Sequence, residues 1–196
     1  MPTMRAIAIW GGAAAAMLIS SAIALQSPLL QWRSPVYIIG GFAGVVGMAL
    51  LLLQPLLANS TLPGHSRNLH RWGGAALVVA VILHIAALWV TSPPDVIDVL
   101  LFRSPTPFGI WGAVAMWGVI ATAILAIRRR KLHPRTWQRA HLALAVVVVS
   151  STLLHALLIE GTMGQLSKRT LAALIVAATA WTIWSRIRPA RHLARR

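Results

Sequence analysis

Six long apolar stretches dominate this chain, each close to the length that the hydrocarbon core of a bilayer demands of a helix. They lie near 7–25, 36–58, 69–90, 108–127, 137–159 and 166–184. Apolar runs of about 20 residues satisfy their backbone N–H and C=O groups in lipid by turning into α-helices. The expected fold is therefore all-α: an integral membrane six-helix bundle, with residues 1–196 forming a single transmembrane domain. The last stretch is the weakest, because Lys168 and Arg169 would have to snorkel outward from its first turn. The first has a competing reading as a cleavable signal peptide, with Met1–Arg5 ahead of an apolar run and Ser21–Ala24 behind it. Its length favours an uncleaved helix, and either choice leaves the other five stretches in the same orientation.

Charge sets that orientation. Only three acids (Asp95, Asp98 and Glu160) face 18 Lys and Arg, for a formal net charge of +15. In a soluble chain such an excess would suggest nucleic acid. Here the cations fall between apolar runs and are not interleaved with exposed aromatic residues, so a lipid bilayer rather than a nucleic acid is the expected partner. Arg5, Arg67, Arg71, the block Arg128–Lys131 with Arg135 and Arg139, and Arg186, Arg188, Arg191, Arg195 and Arg196 fall on one side. The other side has Arg33, Arg103, Lys168 and Arg169, together with all three acids. The positive-inside rule then puts both termini in the cytoplasm, for a multi-pass protein of the cell inner (plasma) membrane. The absence of cysteine excludes disulfides, thiolate metal sites, iron–sulfur clusters and covalently attached haem.

Within this frame the histidines stand out. His70 and His84 belong to the third stretch, and His141 and His155 to the fifth, with the same separation of 14 residues in each pair. Fourteen residues at about 100° each end roughly 40° short of four full turns, so both imidazoles of a pair share one helix face. The rise is about 21 Å, most of a hydrocarbon core about 30 Å thick. Both stretches run from cytoplasm to outside, which sets His70 level with His141 and His84 level with His155. Two imidazoles at each of two depths make a frame for two bis-histidine haems, with those four side chains as iron ligands. Structural hydrogen bonding or a proton relay are the other readings of histidine in a membrane helix. Zinc fits less well, since it takes four tetrahedral ligands and no intramembrane acid or cysteine supplies the remainder. His65, His133 and His192 lie among arginines at the cytoplasmic rim and are expected to be solvated.

Several other features bear on this frame. Gly40, Gly44 and Gly47 form a small-residue line in the second stretch, read as close helix packing that would also give a macrocycle a flat surface. Pro55 should kink the same helix. The outer segment Ser92-Pro93-Pro94 followed by DVIDVLLF reads as a short amphipathic helix, either a roof over the outer end or a connector. Trp10, Trp32, Trp72, Trp89, Trp137 and Trp184 fall near predicted boundaries, as interfacial belts require, while Trp111, Trp117 and Trp181 lie deeper and are expected to face lipid or core. Arg67, Arg71, Arg135 and Arg139 flank the inner histidines as partners for anionic propionates, and Arg103, Lys168 and Arg169 are the cations for the outer pair. Helix carbonyls are the expected acceptors for the imidazole N–H groups, with Ser151 a further candidate beside His155.

Two motifs, the LHRWGG that opens the first histidine pair and the LHPRTWQRAH that opens the second, resemble the ferric reductase-like transmembrane domain family. That family includes the membrane parts of ferric reductases and NADPH oxidases, and of a bacterial periplasmic methionine sulfoxide reductase system. The resemblance runs from about Gly40 to Trp184. It implies a cytochrome b carrying electrons from a cytoplasmic flavin to an extracytoplasmic acceptor such as ferric iron. By the same resemblance His70 and His141 hold an inner haem b, with Arg71 and Arg139 beside it, and His84 and His155 hold an outer one. No GxGxxG fingerprint is present, so FAD or FMN is expected only on a separate cytoplasmic flavin reductase, or a quinol takes its place. The chain would then be the membrane component of a ferric reductase-type oxidoreductase, or the haem subunit of a methionine sulfoxide reductase-type system. A haem-free proton or metal permease, or a structural subunit, is the rival.

Overall fold

The computed structural model describes residues 4–59 and 66–187, and among these there are helices and no strand. The helices are α1 (Met4–Leu25), α2 (Pro35–Ala58), α3 (Ser66–Thr91), α4 (Pro93–Leu100), α5 (Pro107–Ile127), α6 (Pro134–Leu158) and α7 (Gln165–Ile187). Five of these segments, α1, α2, α3, α5 and α6, are long and apolar enough to cross a bilayer. The fold is thus an all-helical, multi-pass membrane architecture. At 23 residues α7 also has the length, but it carries Lys168, Arg169 and Arg186. Residues 1–3 of the alternative leader, His65, His192 and the arginines at 188, 191, 195 and 196 lie outside the described residues.

Helix starts follow the local chemistry. Ser34-Pro35, Ser92-Pro93, Thr106-Pro107 and His133-Pro134 each place proline early in the first turn, where a missing N–H costs nothing. The Ser34 hydroxyl accepts from Tyr37 N–H at 3.3 Å, and His133 Nδ1 accepts from Arg135 N–H at 3.3 Å. His133 is therefore a helix cap as well as a solvated rim residue. Inside α2, Pro55 lacks the N–H that a helix interior would use. Its own carbonyl is taken twice, by Asn59 N–H at 3.1 Å and by the Thr182 hydroxyl of α7 at 2.9 Å.

Two antiparallel hairpins carry the architecture. In the first, Gly40 meets Ala87, Gly47 meets Leu77 and Ala80, and Gly73 meets Gln54, so α2 and α3 run in opposite directions at close quarters. The small-residue line of α2 makes this possible. A methyl group on Gly40 would lie 2.9 Å from Ala87 Cβ, closer than real Cβ atoms come. In the second hairpin Gly112 meets His155 and Gly118 meets Val148, which sets α5 against α6. The hairpins adjoin through α3 and α5, while α3 and α6 have little direct backbone contact.

Helix α7 packs on α2, α6 and α1 and joins the two halves. The stretch that looks weakest in sequence supplies Leu171 and Ile175, the most deeply buried large apolar side chains of the core. Its charged first turn departs from expectation. Arg169 is exposed, but Lys168 is 3% exposed and points inward instead of snorkelling. The reason is local: its ammonium finds the Ile159 carbonyl at the end of α6.

Candidate functional site

The four histidines converge as two pairs. The His70 and His141 rings have centroids 6.1 Å apart at an interplanar angle of 74°, and those of His84 and His155 are 6.4 Å apart at 79°. The pairing of 70 with 141 and 84 with 155 means that α3 and α6 run parallel, with each ring pair bridging the gap between them. The two levels, four turns of helix apart, share nearly the same ring spacing and angle.

Backbone geometry fixes which nitrogen faces the partner ring. His84 Nδ1 lies 2.7 Å from the Gly40 carbonyl, His155 Nδ1 lies 2.9 Å from the Phe108 carbonyl, and His70 Nδ1 lies 3.2 Å from the Gln54 carbonyl. His70 Nδ1 also faces the turned Gln54 amide nitrogen, a donor, at 3.1 Å. At His84 and His155 the partner is a carbonyl, which only accepts, so Nδ1 carries the proton and donates it to the neighbouring helix of the same hairpin. The lone pair is left on Nε2. That tautomer is the one a metal-binding histidine with a carbonyl partner adopts. Ser151 does not serve His155, because its hydroxyl donates within α6 to the Val147 carbonyl. The Phe108 carbonyl is an acceptor of the expected kind, a helix carbonyl.

Glycine backs both outer rings. A Cβ at Gly44 would lie 3.1 Å from His84 Nδ1, and one at Gly112 would lie 2.8 Å from His155 Nδ1. On each hairpin a carbonyl orients the imidazole, and a glycine four residues further along (Gly40 then Gly44, Phe108 then Gly112) leaves room for its flat face. The inner level is braced differently. Trp137 stacks on His141 at 5.2 Å and 10°, one turn away on α6, and the Arg129 guanidinium lies 5.7 Å from the Trp137 ring centre. Sequence reasoning placed Trp137 in the interfacial belt and missed this contact. The signal available was its i, i+4 spacing from His141. Beside His70, the Gln54 amide turned to satisfy both its ends accepts from Gly74 N–H at 3.1 Å and donates to the His70 carbonyl at 3.2 Å.

An apolar cavity of about 830 Å³ opens around the outer pair, bordered by His84, His155, Gly44 and Gly112. Cavities of about 300–1,000 Å³ suit ligands of drug size or larger. The amphipathic helix α4 borders it through Val96, Val99 and its two aspartates. Lys168 and Arg33 are the cations on its wall, whereas Arg103 and Arg169 are not on it. Arg71 and Arg139 occupy exposed positions beside the inner histidines and border no part of this outer cavity. Trp111, Trp117 and Trp181 are 38–52% exposed, which places them on the outer surface of the bundle and away from the rings.

The donor set suits an iron porphyrin. A metal–imidazole bond of about 2.0 Å, plus roughly 1.1 Å from that nitrogen to the ring centre, sets two axial imidazole centres about 6.2 Å apart. A direct N–H···N hydrogen bond of about 2.9 Å would draw the centres to about 5.1 Å. The observed 6.1 and 6.4 Å match the first distance and exceed the second by about 1 Å. No cluster of three or more His, Cys, Asp or Glu side chains occurs among the described residues, so each level offers two imidazoles and not the four ligands of a zinc tetrahedron.

Fold and site together define a class: a multi-pass helical membrane protein with paired imidazoles at two depths. The profile of the family described as ferric reductase like transmembrane component matches residues 41–152, more than half of the chain, and the chain belongs to that family. The match takes in His70, His84 and His141 and ends three residues before His155. No curated protein and no solved structure matches the chain.

Proposed function

We propose that this protein carries electrons across a membrane through two b-type haems, as the membrane component of a ferric reductase-type system. The observation that carries the proposal is the ring spacing at both levels, with Nδ1 of His84 and His155 committed to a carbonyl. In this reading His70 and His141 hold an inner haem, His84 and His155 an outer one, and α7 is the sixth spanning helix. Both termini then lie in the cytoplasm of a cell whose inner membrane holds the chain. When bound, haem iron supplies a reversible one-electron step at each level. The protein aims four nitrogens, braces them with Gly44, Gly112 and Trp137, and excludes water with apolar walls. With two imidazoles at each level, the group they would hold would have no open site, and delivery to the acceptor would be outer-sphere. Arg71 and Arg139 supply positive charge at the inner level.

The donor is a separate flavin reductase or a quinol, and the basic segment from Arg128 to Arg139 suits an acidic docking partner. Ferric iron complexes are the favoured acceptor, with a periplasmic oxidoreductase of the methionine sulfoxide reductase type second. A reduced-minus-oxidised spectrum of the purified chain tests the proposal. Two b-type components are expected, with His84→Ala removing one and His70→Ala the other. A colourless protein refutes it and returns the histidines to proton or metal permeation or to a structural role.

A further inference from the structure

A buried cation with donors to spare borders the outer cavity. Lys168 lies in the first turn of α7, 3% exposed, on the same wall system as His84 and His155. An ammonium has three N–H donors. Among the described residues Lys168 makes one side-chain hydrogen bond, Nζ to the Ile159 carbonyl at 2.5 Å, and Glu160 acts on its charge without a direct contact. Glu160, next along the chain, is exposed. Arg33, the other cation on the wall, is exposed and lies over the Tyr37 ring at 4.9 Å, so it is solvated and engaged. Two of the three N–H donors of Lys168 are therefore unspent, and a buried donor without an acceptor is costly. Asp95 and Asp98 of α4 also border the cavity, but neither is hydrogen-bonded to Lys168, and the rest of the wall is mainly apolar. A carboxylate brought in by the cavity's occupant would take the unspent donors.

We infer that Lys168 is the positioning residue that takes a carboxylate on the edge of the group held by His84 and His155, fixing that group's rotation about the axis through the two imidazoles. This rests on the haem reading, whose porphyrin carries two propionates. Two axial nitrogens leave that rotation free. Lys168 turns the acidic edge toward the α6–α7 connection, the outer end of the bundle in that reading, and keeps the apolar edge among α2, α3 and α5.

The test uses the full chain purified in lipid nanodiscs, with potentiometric titration of both haem components. Lys168→Met is expected to shift the Fe(III)/Fe(II) equilibrium of the outer component toward Fe(III) by on the order of tenfold, about 59 mV lower in potential. The inner component, identified by its loss in His70→Ala, stays in place. Lys168→Arg keeps the charge and should restore the wild-type value. Reconstitution with iron protoporphyrin dimethyl ester gives an independent readout: the wild-type outer site should bind the ester at least tenfold more weakly than the free acid, and Lys168→Met should bind the two alike. A shift in both components, or a Lys168→Met shift with ester and acid binding equally, overturns the assignment. If Lys168→Met does not accumulate, the wild-type comparison of ester with acid decides alone. A wild-type chain without b-type absorption overturns the haem reading itself, which the ester comparison cannot do.

Discussion

Gly112 offers the sharpest test of how the outer ring is held. An added methyl group there would lie 2.8 Å from His155 Nδ1 and 3.0 Å from its Cε1. Comfortable contact between such atoms is about 3.5 Å, so the ring would have to retreat by roughly 0.7 Å. Retreat strains the 2.9 Å bond from Nδ1 to the Phe108 carbonyl and alters the 6.4 Å spacing to His84. Overpacking of this kind costs about 1–3 kcal/mol, and 1.4 kcal/mol is a factor of ten, so Gly112→Ala should weaken outer haem retention about 5- to 150-fold. Gly44→Ala, with 3.1 Å to His84 Nδ1, should do the same more mildly. Gly47→Ala meets Leu77 and Ala80 only at 3.8 and 3.9 Å and serves as control. There the better helix propensity of alanine should leave stability equal or raised by up to about 1 kcal/mol. The assay is haem-to-protein ratio against added apomyoglobin as a haem sink, resolved into the two spectral components. Equal retention in Gly112→Ala and Gly47→Ala would mean that the ring is not held by this surface. A loss confined to the inner component would refute the reasoning outright.

Three further outcomes follow from the same contacts. Trp137→Leu removes the ring stacked on His141 and should weaken inner haem retention about 2- to 10-fold, with the outer component unchanged in the difference spectrum. Gly40→Ala would press on Ala87 at 2.9 Å and part α2 from α3, lowering thermal stability by about 1–3 kcal/mol in nanodiscs; a Tm equal to wild type would show that the hairpin has slack there. Thr182→Val deletes the donor to the Pro55 carbonyl but leaves Asn59 N–H in place, so the cost should be about 1 kcal/mol in thermal unfolding and the haem spectrum should not change.

Much of the frame was legible in the sequence because lipid is a simple solvent. Apolar length alone marked the six long helices to within a few residues, and Ser92 with Pro93 and Pro94 marked the start of α4. The equal histidine spacing carried the site, since helix periodicity turns 14 residues into one shared face. What escaped depends on the register of one helix against another. The Phe108 carbonyl reaches His155 across 47 residues and leaves no trace in composition, as every residue has a carbonyl. A helix carbonyl is the kind of acceptor the sequence leads one to expect, and Ser151, the further candidate, is satisfied by its own helix. Lys168 was read as snorkelling because charge in an apolar run normally flees to water, and only the neighbouring chain end at Ile159 shows why it turns inward.

Both ring pairs span one seam, the gap between the α2–α3 hairpin and the α5–α6 hairpin. The two levels therefore share their walls, and the width the hairpins leave between them is set once for both. Helix α7, packed on a helix of each half, ties those walls together.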